Sequence, residues 1–188
     1  MQILLSLLVG IGLSAACGFR VFVPLVFMSI AAKAGYLTLA PGFDWMQSYP
    51  ALIAFSAATV LEIAGYYIPW VDNILDSIAT PAAVVAGVVA TASVVTGMSP
   101  FLKWTLAVIA GGGVAGMTQV STALARAASS GLTAGLANAA VSSIEAAASI
   151  VLSILAIFAP IVACIIIILI LFFAIKIARK RSLRKAPA

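Results

Sequence analysis

Residues 51–68 read Ala-Leu-Ile-Ala-Phe-Ser-Ala-Ala-Thr-Val-Leu-Glu-Ile-Ala-Gly-Tyr-Tyr-Ile. This is an apolar run of membrane-helix character with one carboxylate, Glu62, near its middle. An ionised side chain at membrane depth costs several kcal/mol unless it is paired, protonated or wetted. Two questions follow: whether the bilayer is the solvent of the whole chain, and what justifies Glu62.

Composition answers the first. Apolar residues make up 64% of 188 positions and charged residues 8%, and the mean hydropathy is +1.25. Such values exclude a soluble domain and point to an all-α, polytopic transmembrane helical bundle. The net charge of +5 is unevenly placed, because Lys176, Arg179, Lys180, Arg181, Arg184 and Lys185 supply six of the ten basic residues. The remaining four face five acids, so the body is slightly acidic. The basic tail, residues 178–188, therefore reads as a cytoplasmic topology determinant that touches anionic headgroups, and not as a nucleic-acid surface. The expected location is the cytoplasmic (inner) membrane of a bacterium.

Cys17 and Cys164 lie inside apolar runs, where a thiol behaves as a small hydrophobe, and the chain has no His. That removes the imidazole base, His-containing metal sites and Ser-His or Cys-His nucleophile pairs. No cofactor is expected. The start, Met1-Gln-Ile-Leu-Leu-Ser, lacks a positive n-region and reads as a retained span, not a cleaved signal peptide. Ser14-Ala-Ala-Cys17 is only a faint match to a lipoprotein cleavage site.

A crossing helix needs about 20 apolar residues, and five blocks meet or approach this: Ile3 to Ala32, Ala51 to Ile68, Pro81 to Gly97, Phe101 to Ala125, and Asn138 to Ile177. The first and last are too long for one simple crossing. Each contains a proline, Pro24 or Pro160, which predicts a kink or break. Residues 33–50 read as a loop, 70–79 as a short acidic connector, Thr80-Pro81 as a helix start, and 127–137 as a small-residue linker. Tyr66, Tyr67 and Trp70 read as interfacial aromatics. In the last block, the Ala- and Ser-rich first half reads as tilted or partly external and the Ile- and Leu-rich second half as the span. Five crossings result, with the N-terminus outside; a turn at Pro160 would make six. The chain is a single membrane domain, 1–177, divisible into halves 1–98 and 101–177.

The scarce polar groups fall on helical stripes. Thr59, Glu62 and Tyr66 share one face; Gly112, Gly116, Gln119, Thr122 and Arg126 share another; Asn138, Ser142, Glu145 and Ser149 a third. Lipid does not accept such faces, so they turn toward one another or toward water. Pro24 frees the carbonyl of Arg20, and broken helices of this kind place binding groups inside membrane domains. Arg20 is thus the candidate counter-ion of Glu62 or an anion contact. Arg20 followed by Glu62, and Arg126 followed by Glu145, after two glycine-rich stretches, suggest a weak inverted repeat, although the Arg-to-Glu spacings differ. Simpler readings stand beside these. Gly112 with Gly116, and Gly131 with Gly135, suit helix packing. Glu62 with Arg20 suits a structural ion pair. Asp72 and Asp76, four apart, suit either a cation site or an exposed acidic connector.

Residues 12–25, Gly-Leu-Ser-Ala-Ala-Cys-Gly-Phe-Arg-Val-Phe-Val-Pro-Leu, with Leu61-Glu62, Asp72, Asp76 and Thr80-Pro81-Ala, resemble a bacterial integral membrane family known as domain of unknown function 4126. The resemblance implies no activity or substrate, but it adds weight to Arg20, Glu62 and the Asp pair as a functional group. The expected function is a small transporter or channel-like protein whose polar path takes an ion or small solute through Arg20, Glu62, Thr59, Tyr66, Gln119, Thr122, Arg126, Asn138 and Glu145. The rival is a structural or assembly protein whose ion pairs serve packing only, and an intramembrane enzyme comes third. A monomer of this size encloses little cavity, which makes a homodimer plausible.

Overall fold

The computed structural model describes residues 2–133 and 138–185. Among these residues the fold is all-helical. Four helical segments, Gln2–Phe19, Ile74–Val94, Pro100–Ala127 and Asn138–Phe158, are long and apolar enough to cross a membrane, and shorter apolar helices accompany them at Phe22–Lys33, Tyr49–Gly65 and Pro160–Phe173. About five crossings fit this set.

The first block is two helices, α1 (Gln2–Phe19) and α2 (Phe22–Lys33). Pro24 has no N–H to give the Arg20 carbonyl, and its ring crowds that oxygen. The helix accordingly stops at Arg20. The break is a reversal of direction. Ser149 donates to the Ala16 carbonyl and Arg20 to Ser142, so α1 runs antiparallel to α7 (Asn138–Phe158). Beyond α2, Tyr36 packs edge-on against Phe158 at the far end of α7. The chain has therefore turned back at Arg20-Val21.

Pro160 breaks the last block into α7 and α8 (Pro160–Lys185). Ala156 and Ala163, on either side of the break, both lie within 3.5 Å of the place a Cβ on Gly12 would occupy. A straight helix would separate two such residues by about 10 Å along its axis, so the bend is sharp. The first half differs from its expected role as a tilted or partly external segment, while the second half forms the shorter apolar helix Pro160–Phe173. The small-residue half is α7, one of the four long apolar helices, and it buries Ser142, Glu145, Ser149, Ser153 and Ala156. The physical reason is that small side chains allow close approach to α1, which a lipid-facing position does not need.

Two further boundaries differ from expectation. After α3 (Tyr49–Gly65), the helix α4 runs without interruption from Pro69 to Val94. Pro69 takes the first helical turn, and Pro81 lies inside the helix. Residues 70–79 are thus a helical ledge, and Thr80 is no cap. Likewise α6 extends over Gly113–Thr133, into the stretch expected to be a linker. Residues 134–137, including Gly135, lie outside the described residues, as do the surroundings of Gly131.

α5 (Pro100–Leu106) continues through a π-helical segment, Ala107–Gly112, into α6. Ser99 accepts from the Leu102 amide to cap its start. The π segment lies where three helices cross on small residues. A Cβ on Gly111 would come within 2.6 Å of the Gly87 carbonyl oxygen and closer still to Thr91 Oγ1. One on Gly87 would meet Ala115 Cβ at 2.5 Å, and one on Gly18 would meet the Ala115 carbonyl at 2.5 Å. Ser14 Oγ closes the crossing, donating to the Gly87 carbonyl at 2.7 Å with Thr91 Oγ1 2.8 Å away. Gly112 and Gly116 face Val84 and Val88 of α4, as a packing role requires.

One end of the bundle carries the loop 34–48, whose Ala40 amide donates to the Ser93 carbonyl at 2.6 Å and whose Met46 is fully buried. Lys33 lies over the Tyr49 ring, and Lys103 over Phe43 and Trp104. The opposite end carries the break after α1, the last turn of α3 and the first turns of α4 and α7. The charges gather there.

Candidate functional site

The acids and bases gathered at this end each lie at a helix terminus or within about two turns of one. Arg20 sits in the break between α1 and α2, Glu62 and Tyr66 at the end of α3, and Asp72 and Asp76 on successive turns at the start of α4. Arg126 lies on α6, and Asn138, Ser142 and Glu145 on the opening turns of α7.

Arg126 is the hub. Its Nη1 donates to Asp72 Oδ1 at 2.9 Å and to Asp76 Oδ1 at 3.2 Å, while its Nε donates to Glu145 Oε1 at 3.0 Å and its Nη2 to Glu145 Oε2. One planar fork thus holds three carboxylates, which is the geometry guanidinium suits and ammonium does not. The Asp pair is neither an exposed connector nor an open metal site. Asp72 is buried, and the cation between the two carboxylates is Arg126. Asn138 Nδ2 approaches the other oxygen of Asp72 at 3.4 Å.

Arg20 is 1% exposed. Its Nη2 donates to the Ser142 carbonyl at 2.9 Å and to Ser142 Oγ at 2.6 Å, and lies 3.4 Å from Glu145 Oε2. Glu145 therefore bridges the two arginines. The Tyr66 ring is shared as well, with the Cζ of each guanidinium 4.0 Å from its centroid. Cation–π contacts of this kind contribute on the order of 1 kcal/mol or more when desolvated. Tyr66 was expected at an interface. It is buried because both cations need its face; the neighbouring Tyr67 is exposed and bonds Ser143 Oγ at 2.8 Å.

Glu62 is not the ion-pair partner of Arg20. Its Oε1 accepts from the Val21 amide at 2.8 Å and its Oε2 from the Phe22 amide at 3.1 Å. The break at Arg20 exposes the first amides of α2, and a carboxylate satisfies them while complementing the positive end of the helix dipole. The carboxylate that seemed unexplained in residues 51–68 is thus a long-range helix cap. The signal for it was Pro24, which frees backbone on both sides of the break; what the linear sequence lacked was the fold bringing α3 to that break.

Of the remaining expected residues, Gln119 and Thr122 are buried on α6, one to two turns from Arg126, with Thr122 Oγ1 bonded to the Gln119 carbonyl. Thr59 lies one turn before Glu62, and its hydroxyl is buried without a partner. Ser142 is a direct ligand of Arg20. The polar crossing of Ser14, Gly87 and Thr91 was not singled out by sequence, although Gly10-x-x-x-Ser14-x-x-x-Gly18 and Gly87-x-x-x-Thr91 carry the small-residue spacing that marks it.

Two cations and four carboxylates meet at this end. No curated protein and no solved structure matches the chain. The family described as domain of unknown function (DUF4126) matches residues 7–180. That match spans both arginines, all four carboxylates and every helix that carries them, and the chain belongs to this family.

Proposed function

We propose that the protein is a small membrane transporter or channel-like protein whose charged cluster takes part in moving an ion or small solute. The observation that carries this reading is the charge imbalance. Among the described side chains Asp72, Asp76 and Glu145 bind Arg126 and Arg20 while Glu62 caps α2. Four carboxylates thus stand against two guanidinium groups, and the cluster carries two surplus negative charges when all six are ionised, part of one being offset by the α2 dipole. A purely structural network in a membrane domain is expected to balance, because uncompensated buried charge costs several kcal/mol. A surplus is natural where a positive species comes and goes. The cluster sits at one end of the apolar spans, and Asp76 is more exposed there than Asp72 or Glu145, so we read the cluster as the mouth or gate of a path. In this reading the basic tail faces the cytoplasm of the inner membrane, no cofactor takes part and the protein is not an enzyme.

The test is flux. Purified protein in liposomes should move at least one member of a panel of protons, alkali cations, divalent cations, small anions and amino-acid-like zwitterions faster than protein-free vesicles, and Asp76→Asn should slow it. A wild-type protein that moves nothing in the panel would defeat the reading.

The structural alternative is favoured by one feature, the small-residue crossing of α1, α4 and the π segment, which gives the close packing an assembly protein needs. It predicts that Gly111→Leu abolishes function while an apolar replacement of Arg20 and Glu145 together preserves it.

A further inference from the structure

We infer that the species taken up by the cluster is the proton, entering through Asp76 and relayed by water past Arg20 to Glu62, Thr59 and Ser29. This deepens the transport reading above and rests on it. Three observations support it.

The first is the pairing at Arg126. Asp72 and Asp76 both accept from the same Nη1, while Glu145 occupies Nε and Nη2. The Asp pair has one guanidinium nitrogen between two carboxylates. This leaves a negative charge in surplus at the pair, since the further donor to Asp72, Asn138 Nδ2, is neutral, and an added proton neutralises it. The groups facing Asp76 are Asp72 from α4, Arg126 from α6, Glu145 from α7 and Tyr66 from α3, with Arg20 behind Glu145.

The second is access. The Asp76 side chain is 32% exposed, against 8% for Asp72 and 4% for Glu145. Asp76 is the most exposed of these three carboxylates, at the margin of the cluster.

The third is a set of buried polar atoms without protein partners. Arg20 Nε and Nη1 are two of them, on a guanidinium whose remaining nitrogen is fixed on Ser142 and Glu145. Thr59 Oγ1 and Ser29 Oγ are two more. Their order is directional. Arg20 and Glu62 lie at the break where α2 begins, Thr59 about 4.5 Å further along α3, and Ser29 about 10 Å further along α2, toward the opposite end of the bundle. Buried polar groups of this kind are satisfied by ordered water, which typically bridges about three of them. A water on Arg20 gives its lone pairs to the guanidinium and its hydrogens to a carboxylate. A proton and a water together meet both demands, since the carboxylates need positive charge and Arg20 needs acceptors. Ser and Thr hydroxyls donate and accept at once, which a proton relay requires.

The step balances simply. A hydronium gives its proton to an Asp76 oxygen and is left as water, and one acceptor of Arg126 Nη1 loses its charge. Asp76 returns to carboxylate when it passes that proton to a water, which hands one of its own to Glu62, whose protonation weakens its hold on the Val21 and Phe22 amides. Glu62 in turn gives its proton to water on the Thr59 and Ser29 side, which carries it as hydronium toward the opposite end, and the cap is restored.

Protein reconstituted in potassium-loaded vesicles with an internal pH dye, and driven by a valinomycin potential, provides the test. Wild type should move protons faster than protein-free vesicles, and Asp76→Asn and Glu62→Gln should each slow this by about tenfold or more, the scale of losing a proton-transfer group. Ser29→Ala, well away from the cluster, should slow it as well. A wild-type rate equal to that of empty vesicles, or variants as fast as wild type, overturns the inference. Should either carboxylate variant fail to fold, infrared spectra of the wild type decide: a protonated carboxylic acid band that shifts in heavy water and titrates is expected, and its absence overturns the inference. If the wider panel moves but protons do not, the proton assignment fails and the transport reading stands. If nothing moves, both fall.

Discussion

The smallest unit of the structure is a division of labour among carboxylates. Glu145 joins the two arginines, Asp72 and Asp76 hold the outer face of Arg126, and Glu62 caps α2. Glu145→Ala leaves Arg20 with Ser142 and the Tyr66 ring but no carboxylate contact, and strips Arg126 of its bidentate partner. It should destabilise the fold by about 3–5 kcal/mol, the cost of breaking a buried pair, and thermal unfolding in detergent would show it. Glu62→Ala should act locally. Its expected effect is a loss of about 0.5–2 kcal/mol, as for other helix caps, read as faster hydrogen exchange at Val21 and Phe22 with little change in α7. At this scale the sequence was a good guide to which residues matter and a poor one to who meets whom. Arg20, Glu62, Arg126, Asp72, Asp76 and Glu145 stand out because charge is rare in an apolar chain. Their pairing depends on the reversal at Arg20 and on α6 meeting α7, which no local pattern encodes.

Elements show the same division between local and long-range causes. The breaks near Pro24 and Pro160 were legible, because a missing N–H and a ring clash act within four residues. The continuity of α4 through Pro81 was not. A proline preceded by Thr is a sound helix start by local chemistry, but here the turns before it are held by Arg126 through Asp72 and Asp76. Tertiary salt bridges outweighed a local preference. The π segment is also set from outside, since Gly111 sits against Gly87 and Thr91 with no room for a side chain. Gly111→Ala should lower stability by about 1–3 kcal/mol, as overpacking does, measured by thermal unfolding. Gly113→Ala, where a Cβ meets nothing within 4 Å, should be tolerated and serves as the control.

For the whole molecule, class and approximate crossing number follow from hydropathy, since helices alone satisfy their backbone within one segment in lipid. What hydropathy does not contain is depth. The polar stripes of α3, α6 and α7 are expected to turn toward one another or toward water, and Tyr66, Arg126 and Glu145 do meet. They converge at one end of the bundle, because Glu62, Tyr66 and Arg126 lie late in their helices whereas Asp72, Asn138, Ser142 and Glu145 lie early in theirs. Antiparallel helices bring those ends together. The opposite end holds Lys33, Lys103 and their aromatic neighbours. Among the described side chains, the carboxylate-rich cluster therefore lies at one end and the cation–aromatic contacts at the other.

The central claim is that this cluster works on an ion or solute and does not merely hold helices together. The most direct measurement pairs flux with folding in the variant carrying both Arg20→Met and Glu145→Met. Removing Arg20 and Glu145 together deletes one charge of each sign, and Arg126 keeps Asp72 and Asp76. The double variant should therefore be more stable than Glu145→Ala, and it is required to be helical and monodisperse before its flux is read. The account predicts that wild type moves at least one member of the ion and solute panel and that the folded double variant falls to the level of empty vesicles. A folded double variant with wild-type flux, or a wild type that moves nothing, would contradict it.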